Sequence, residues 1–271
     1  DEGTYTLVDA LDVNNNLTIS GGSLDQTSSN FDVTVGGNYL NAANLTTRAS
    51  SVITMDAASG TNTIQSDASL NNLTLNDGGG SATFQVARQR FISAGNITIT
   101  GGTFTPGTSC NAASTCAITL GGNFTNSDTF TAGSGTVTFN DAAQTSTLSY
   151  SANTTFNNFT VTTSAKTLVF DKDFRTIVSG TFTLTGTSCS NRILLRSEST
   201  GTQYELNATG TKAVTFVDVK DSNAITAISA TGSRDSGNNT NWTTDDASTL
   251  SQQMRHGQWF DACGDDRGFQ L

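Results

Sequence analysis

Short runs of alternating apolar and polar residues, each closed by Gly or Asn, recur along this chain. Asn96-Ile97-Thr98-Ile99 runs into Gly101-Gly102-Thr103-Phe104. Ile118-Thr119-Leu120-Gly121-Gly122-Asn123-Phe124, Gly135-Thr136-Val137-Thr138-Phe139 and Phe156-Asn157-Asn158-Phe159-Thr160-Val161 follow. A period of two residues is the signature of a strand with one buried face. Runs this short cannot each build a sheet, so the fold must come from how they stack.

The runs repeat at long range. Asn16–Leu24 matches Asn96–Phe104 at a spacing of 80 residues. Val33–Tyr39 matches Ile118–Phe124 at 85, and Leu70–Leu75 matches Phe156–Val161 at 86. A third copy opens at Gly180-Thr181-Phe182-Thr183-Leu184. The spacings predict internal units of about 14–92, 93–177 and 178–244, with a strand-turn pattern every 20 residues or so inside each. Many short strands with Gly and Asn turns suit a sandwich, a barrel or a parallel solenoid. Three features favour the solenoid. The period is regular. Asn recurs at matching corners (Asn16 and Asn96, Asn38 and Asn123, Asn72 and Asn158), where stacked coils would form amide ladders. Asn-Gly or Asp-Gly hairpin turns are nearly missing, Asp77-Gly78 being the exception. The expected fold is all-β: a parallel β-helix of about eleven coils of roughly 20 residues over 1–244, followed by a cap or docking tail over 245–271. At about 4.8 Å per coil, the rod is roughly 50 Å long.

Composition agrees and excludes. Only 13% of residues are charged and 35% hydrophobic, and Thr, Ser, Asn and Gly fill the difference, as a half-exposed pleated surface requires. One proline leaves nearly every backbone N–H free to join a ladder. Fifteen Phe against four Tyr and two Trp suit a dry core. A net charge of −10 without a basic stripe argues against nucleic acid. No apolar run reaches membrane-spanning length, so membrane insertion is not expected. The chain reads as a mature or trimmed one whose targeting segment has gone.

Phe216-Val217-Asp218-Val219-Lys220-Asp221-Ser222-Asn223-Ala224, followed by Asp235-Ser236-Gly237-Asn238-Asn239-Thr240-Asn241-Trp242, resembles the closing coils of bacterial secreted right-handed parallel β-helix proteins. The upstream Gly-Gly-Asn-Phe-Thr and Gly-Thr-Val-Thr-Phe-Asn phrases resemble the same group, over roughly residues 14–244. The resemblance implies an extracellular or cell-surface, adhesin-like setting, and a fold alone fixes no activity.

Four cysteines are present: Cys110, Cys116, Cys189 and Cys263. A disulfide would close the small polar loop between Cys110 and Cys116, and Cys189 with Cys263 would then pin the tail, although spacing alone leaves the connectivity open. Ten Asn-X-Ser/Thr triplets occur, and a chain rich in Asn and Thr generates them without glycosylation. In the tail, Asp245-Asp246 could cap a short helix carrying Leu250 and Met254 on one face and stopped by Gly257.

No constellation of catalytic residues stands out. The single His, His256, lies in the tail without a nucleophile motif. Some parallel β-helix proteins cleave polysaccharides with clustered carboxylates. The candidates for that chemistry are Asp171 and Asp173, with Lys172, Arg175, Asp218 and Asp221. Asp171 and Asp173 would share one face of a strand, and a solvated coil edge explains them as well. We therefore expect no enzyme, no metal and no cofactor. The expected function is a structural subunit of an extracellular filament or surface fibre. Its partner would be another copy of itself, joined head to tail through Thr4, Tyr5, Leu7 and Val8 at one end and Trp259, Phe260, Phe269 and Leu271 at the other. The alternative is a carbohydrate-binding adhesin or polysaccharide-lyase-like protein with a glycan as partner.

Overall fold

In the computed structural model, which describes residues 3–26, 30–46, 50–86, 91–106, 117–245, 253–255 and 258–260, the body is a parallel β-solenoid with three faces. A ladder of eleven strands forms the first face, from Leu11–Val13 through Phe91–Ile99 to Arg234–Asp235. The second face is a six-stranded sheet from Leu17–Ile19 to Thr129–Phe130, continued by a five-stranded sheet from Thr154–Phe156 to Thr240–Thr244. The third face begins with Thr4–Thr6, Ser23–Asp25 and Asn44–Thr46, and later runs from Ala117–Leu120 to Lys212–Thr215. Phe91–Ile99 rounds a corner. Its first half pairs with Ala117–Leu120 on the third face, and its second half pairs with Phe124–Asn126 on the first.

The fold is the expected one, with a smaller coil count. About nine turns traverse all three faces. The last two rungs of the first-face ladder belong to turns whose third face is reduced to a single bridge, Thr215 to Thr231. Turns are also longer than expected. Paired residues lie 20 apart early (Thr34 and Thr54) but 27 apart later (Thr98 and Thr125). Extra residues enter at corners, where a longer loop disturbs no ladder bond.

The long-range repeat does not equal a whole number of turns. Leu17–Ile19 lies on the second face, whereas its match Ile97–Ile99 lies on the first. Val33–Val35 lies on the first face and its match in Ala117–Leu120 on the third. Leu70–Leu75 and Asn158–Val161 are displaced in the same way. Each copy is thus rotated by one face relative to the copy before it. Three faces with the same inside-out alternation accept the same phrases, so the sequence repeat is free to drift around the rod.

That rotation changes which asparagines meet. Asn16 stacks under Asn38, whose Nδ2 donates to Asn16 Oδ1 at 3.0 Å. Farther on, Asn96 Nδ2 donates to Asn72 Oδ1 at 2.6 Å, and Asn96 Oδ1 accepts from the Asn123 backbone N–H at 2.7 Å. Amide columns do form, but between successive turns rather than between residues 80 to 86 apart. Replacing Asn96 with Ala leaves the Asn123 N–H and one amide oxygen without these partners. The expected loss is about 1–2 kcal/mol in urea denaturation.

The core is continuous along the rod. Inward positions of the early turns are mostly aliphatic, with Val33, Val35, Ile53, Met55, Leu73 and Leu75 all buried. From Phe104 onward rings take over. Phe104, Phe130, Phe124, Phe156 and Phe159 touch in succession at centroid distances of 5.9, 5.2, 5.3 and 5.3 Å between rings that the chain of contacts links. The stack ends with Phe170 on Tyr204 at 4.5 Å.

The tail departs from expectation. Met254, placed by its spacing on a helix, lies in a strand: Gln253–Arg255 pairs antiparallel with Gln258–Phe260. Asp245 does cap backbone groups, but at a solenoid corner, where its carboxylate accepts from Gly232 N at 2.8 Å and Ser233 N at 2.9 Å. Leu250 and Gly257 fall outside the described residues. A single i, i+4 pair is weak support for a helix, and local pairing overrides it.

Candidate functional site: the first turn of the rod

The first turn presents three strand edges. Thr4–Thr6 pairs only with Ser23–Asp25, Leu11–Val13 only with Val33–Val35, and Leu17–Ile19 only with Tyr39–Asn41 among the described residues. Every interior strand of these ladders has two neighbours. An edge of this kind carries backbone donors and acceptors ready for another strand. The edges surround a mouth of about 450 Å³ whose lining is half polar, formed by Tyr5, Leu11, Leu17, Ile19 and Leu24 together with Thr18, Ser20 and Gly21. Alternation explains it. Leu11, Leu17 and Ile19 occupy inward positions, and with no covering turn among the described residues each is half-buried where its equivalents lower down are fully buried.

The interface residues expected from sequence fall here in part. Tyr5 is 57% exposed and Val8 87%, the two most exposed large apolar side chains described. Thr4 is exposed, and Leu7 packs partly against the core while its N–H donates to Asp25 O at 2.9 Å. Trp259 and Phe260 lie in the second tail strand. Phe269 and Leu271 fall outside the described residues, as do His256, Cys110, Cys116 and Cys263. Cys189 carries a bonded sulfur rather than a free thiol, and its partner lies outside the described residues.

The acidic candidates are engaged in building corners. Asp171 and Asp173 do not share a strand face, because Thr167–Phe170 ends before them. Asp171 is buried; one oxygen accepts from Asp173 N and Phe174 N, at 2.8 and 3.0 Å, and the other from Tyr150 N at 2.9 Å. Lys172 pairs with Asp173 and with Glu198 at 3.6 Å. The carboxylates of Asp171, Asp173 and Glu198 come near one another; Asp171 is held by backbone donors, and Lys172 lies between Asp173 and Glu198. Arg175 pairs with Glu205 at 2.6 Å. Asp218 receives Ser236 Oγ at 2.7 Å and Arg196 at 3.0 Å. Burial pushes the Asp221 carboxyl up, yet the Gly201 N–H, the Asn238 amide, Lys220 and Arg196 outweigh it and hold the group below its usual range. Asp171 and Asp221 thus act as turn caps, whereas Asp173 and Asp218 are held by side chains.

One buried group escaped the sequence reading. Lys166 is completely buried, and its ammonium donates to Gly121 O, Asp141 O and Gln144 O at 2.8, 2.7 and 2.8 Å. The signal was available: Lys166 shares parity with Leu168 and Phe170, which point inward.

The fold is a parallel β-solenoid whose first described turn presents three strand edges. Comparison with known protein families, curated proteins and solved structures finds no match.

Proposed function

We propose that this chain is a structural subunit of an extracellular filament or surface fibre, assembling head to tail through its solenoid ends and C-terminal tail. The first described turn carries the reading: three parallel edges that lack an outer partner among the described residues surround a mouth that one more turn would complete. The chain's own last rungs have the required parallel geometry. Among the described residues, the tail strands Gln253–Arg255 and Gln258–Phe260 form a two-stranded sheet of their own. Head-to-tail contact uses two different surfaces, so it does not close and grows into a filament. The acids that a lyase would need are occupied at corners, which favours a structural role over polysaccharide cleavage. The bonded sulfur of Cys189 supports an oxidising, extracellular setting.

Negative-stain electron microscopy tests this with the full chain, a Tyr5→Glu variant and a chain ending at Asp245. Long thin fibres from the full chain, and isolated short rods from the other two, are the expected result. Monomeric rods from the full chain at high concentration would overturn it.

A carbohydrate-binding module is the second reading. The outward column Thr34, Thr54, Thr74, Thr98 and Thr125 on the first face favours it, since it presents a row of hydroxyls at strand spacing. Glycan-array binding by rods that never polymerise would select it.

A further inference from the structure

The strongest unexplained feature of the rod is the buried lysine. Lys166 leaves the tight turn at 163–165, where Ala165 adopts a positive φ of 59°, and enters the core at the head of Thr167–Phe170. Among the described residues its ammonium meets no carboxylate. It meets three backbone carbonyls from two earlier stretches of chain: Gly121 at one corner, and Asp141 and Gln144 in the loop that leads into Thr145–Tyr150. Ser146 Oγ donates to Gly122 O beside them. One side chain therefore ties together corners up to 45 residues apart in sequence.

We infer that Lys166 is a proton-linked joint in the rod: the turns it ties together open more readily when its ammonium is charged than when it is neutral. Burying an ammonium among neutral acceptors costs several kcal/mol, because the carbonyls replace water's hydrogen bonds but not its dielectric response. Of the charged groups around it, Asp141 acts on it, and that carboxylate also accepts from the Ala143 N–H at 2.9 Å. On the other side, Arg192, just before Ile193–Ser197, is turned toward Gly232 O at 3.1 Å. Burial accordingly pushes Lys166 down from 10.5 to about 8, with Asp141 opposing the shift. In an opened turn the lysine regains its ordinary affinity for a proton. Between about pH 8 and 10.5 the open state therefore binds more protons than the closed one, and closure strengthens as pH rises through that window. At pH 7 both states are charged and the closed turn bears the whole penalty.

Native-state amide hydrogen exchange on the full chain, corrected for intrinsic rates, tests the inference. Between pH 9.5 and pH 7 the opening equilibrium of Thr145–Leu148 and Thr167–Phe170 is expected to rise about 30-fold, from the two proton affinities. Val52–Met55, in a turn without a buried charge, serves as the reference and should stay flat. Lys166→Met should abolish the difference. Should that variant not fold, a Nζ-labelled lysine NMR titration of the unaltered chain gives the second reading: Lys166 is expected to lose its proton well before Lys172, whose ion pairs with Asp173 and Glu198 raise it. Equal pH responses in both regions, or Lys166 titrating together with Lys172, would overturn the inference.

Discussion

Replacing Phe159 with alanine is expected to cost about 3–5 kcal/mol and to split one urea transition into two. Phe159 is fully buried in the seventh turn. Its ring touches Phe156 in the same turn at 5.3 Å, Phe139 in the turn before at 5.2 Å, and Phe182 and Phe170 in the turn after at 5.8 and 6.5 Å. Among the described residues no other ring contacts as many aromatic neighbours. In a solenoid each turn is held only by its neighbours, so stability is close to a sum of local terms and interface terms. A cavity at one interface weakens the coupling between the two halves of the rod. The halves should then melt separately, and circular dichroism against urea would show a biphasic curve. A single transition shifted by less than about 1 kcal/mol would mean that neighbouring rings collapse into the gap and that the aromatic stack is not rigid.

How far the sequence foretold this structure depends on which constraint each residue obeys. Alternation in Val33-Thr34-Val35 or Ile97-Thr98-Ile99 reports burial directly, so strands and their inward residues were legible. Which of three faces a strand occupies was not, because all three impose the same alternation. That is why Asn16 and Asn96 match in sequence yet precede segments on different faces, while each meets the asparagine of an adjacent turn. Asp171 and Asp173 read as a possible carboxylate pair because a two-residue spacing suits a strand. The strand stops at Phe170, and the short polar side chain of Asp171 finds backbone donors instead. Thr4, Tyr5, Leu7 and Val8 lie in and beside the first described strand, where Tyr5 and Val8 are exposed. Lys166 was overlooked because a lysine between a turn and a strand is ordinarily a solvated corner residue.

Gly210→Ala should be the most damaging single-methyl addition on the surface of the rod, costing about 3 kcal/mol. Gly210 sits at the corner between Tyr204–Ala208 and Lys212–Thr215. A Cβ there would lie 1.9 Å from Gly180 O, and 2.7 Å from both Gly180 C and Ser179 O. These are backbone atoms of the turn below, fixed by ladder bonds on both sides, and no side chain can swing away. The same crowding continues downward, where a Cβ on Gly180 would lie 2.6 Å from Asn158 Oδ1, the atom that accepts from Thr181 N at 2.8 Å. Gly121→Ala provides the control. Its Cβ would meet Asp141 at 3.5 Å, an ordinary contact, so a change within about 0.5 kcal/mol is expected. Thermal denaturation of the two variants beside the unaltered chain measures the difference. If both shift equally, corner spacing is soft and the ladders alone set the distance between turns. If Gly210→Ala falls far below Gly121→Ala, bare backbone contact at that corner helps to fix the stacking distance. A joint between subunits that continues the ladders would then have to reproduce the same spacing, which limits the segments able to complete the open first turn.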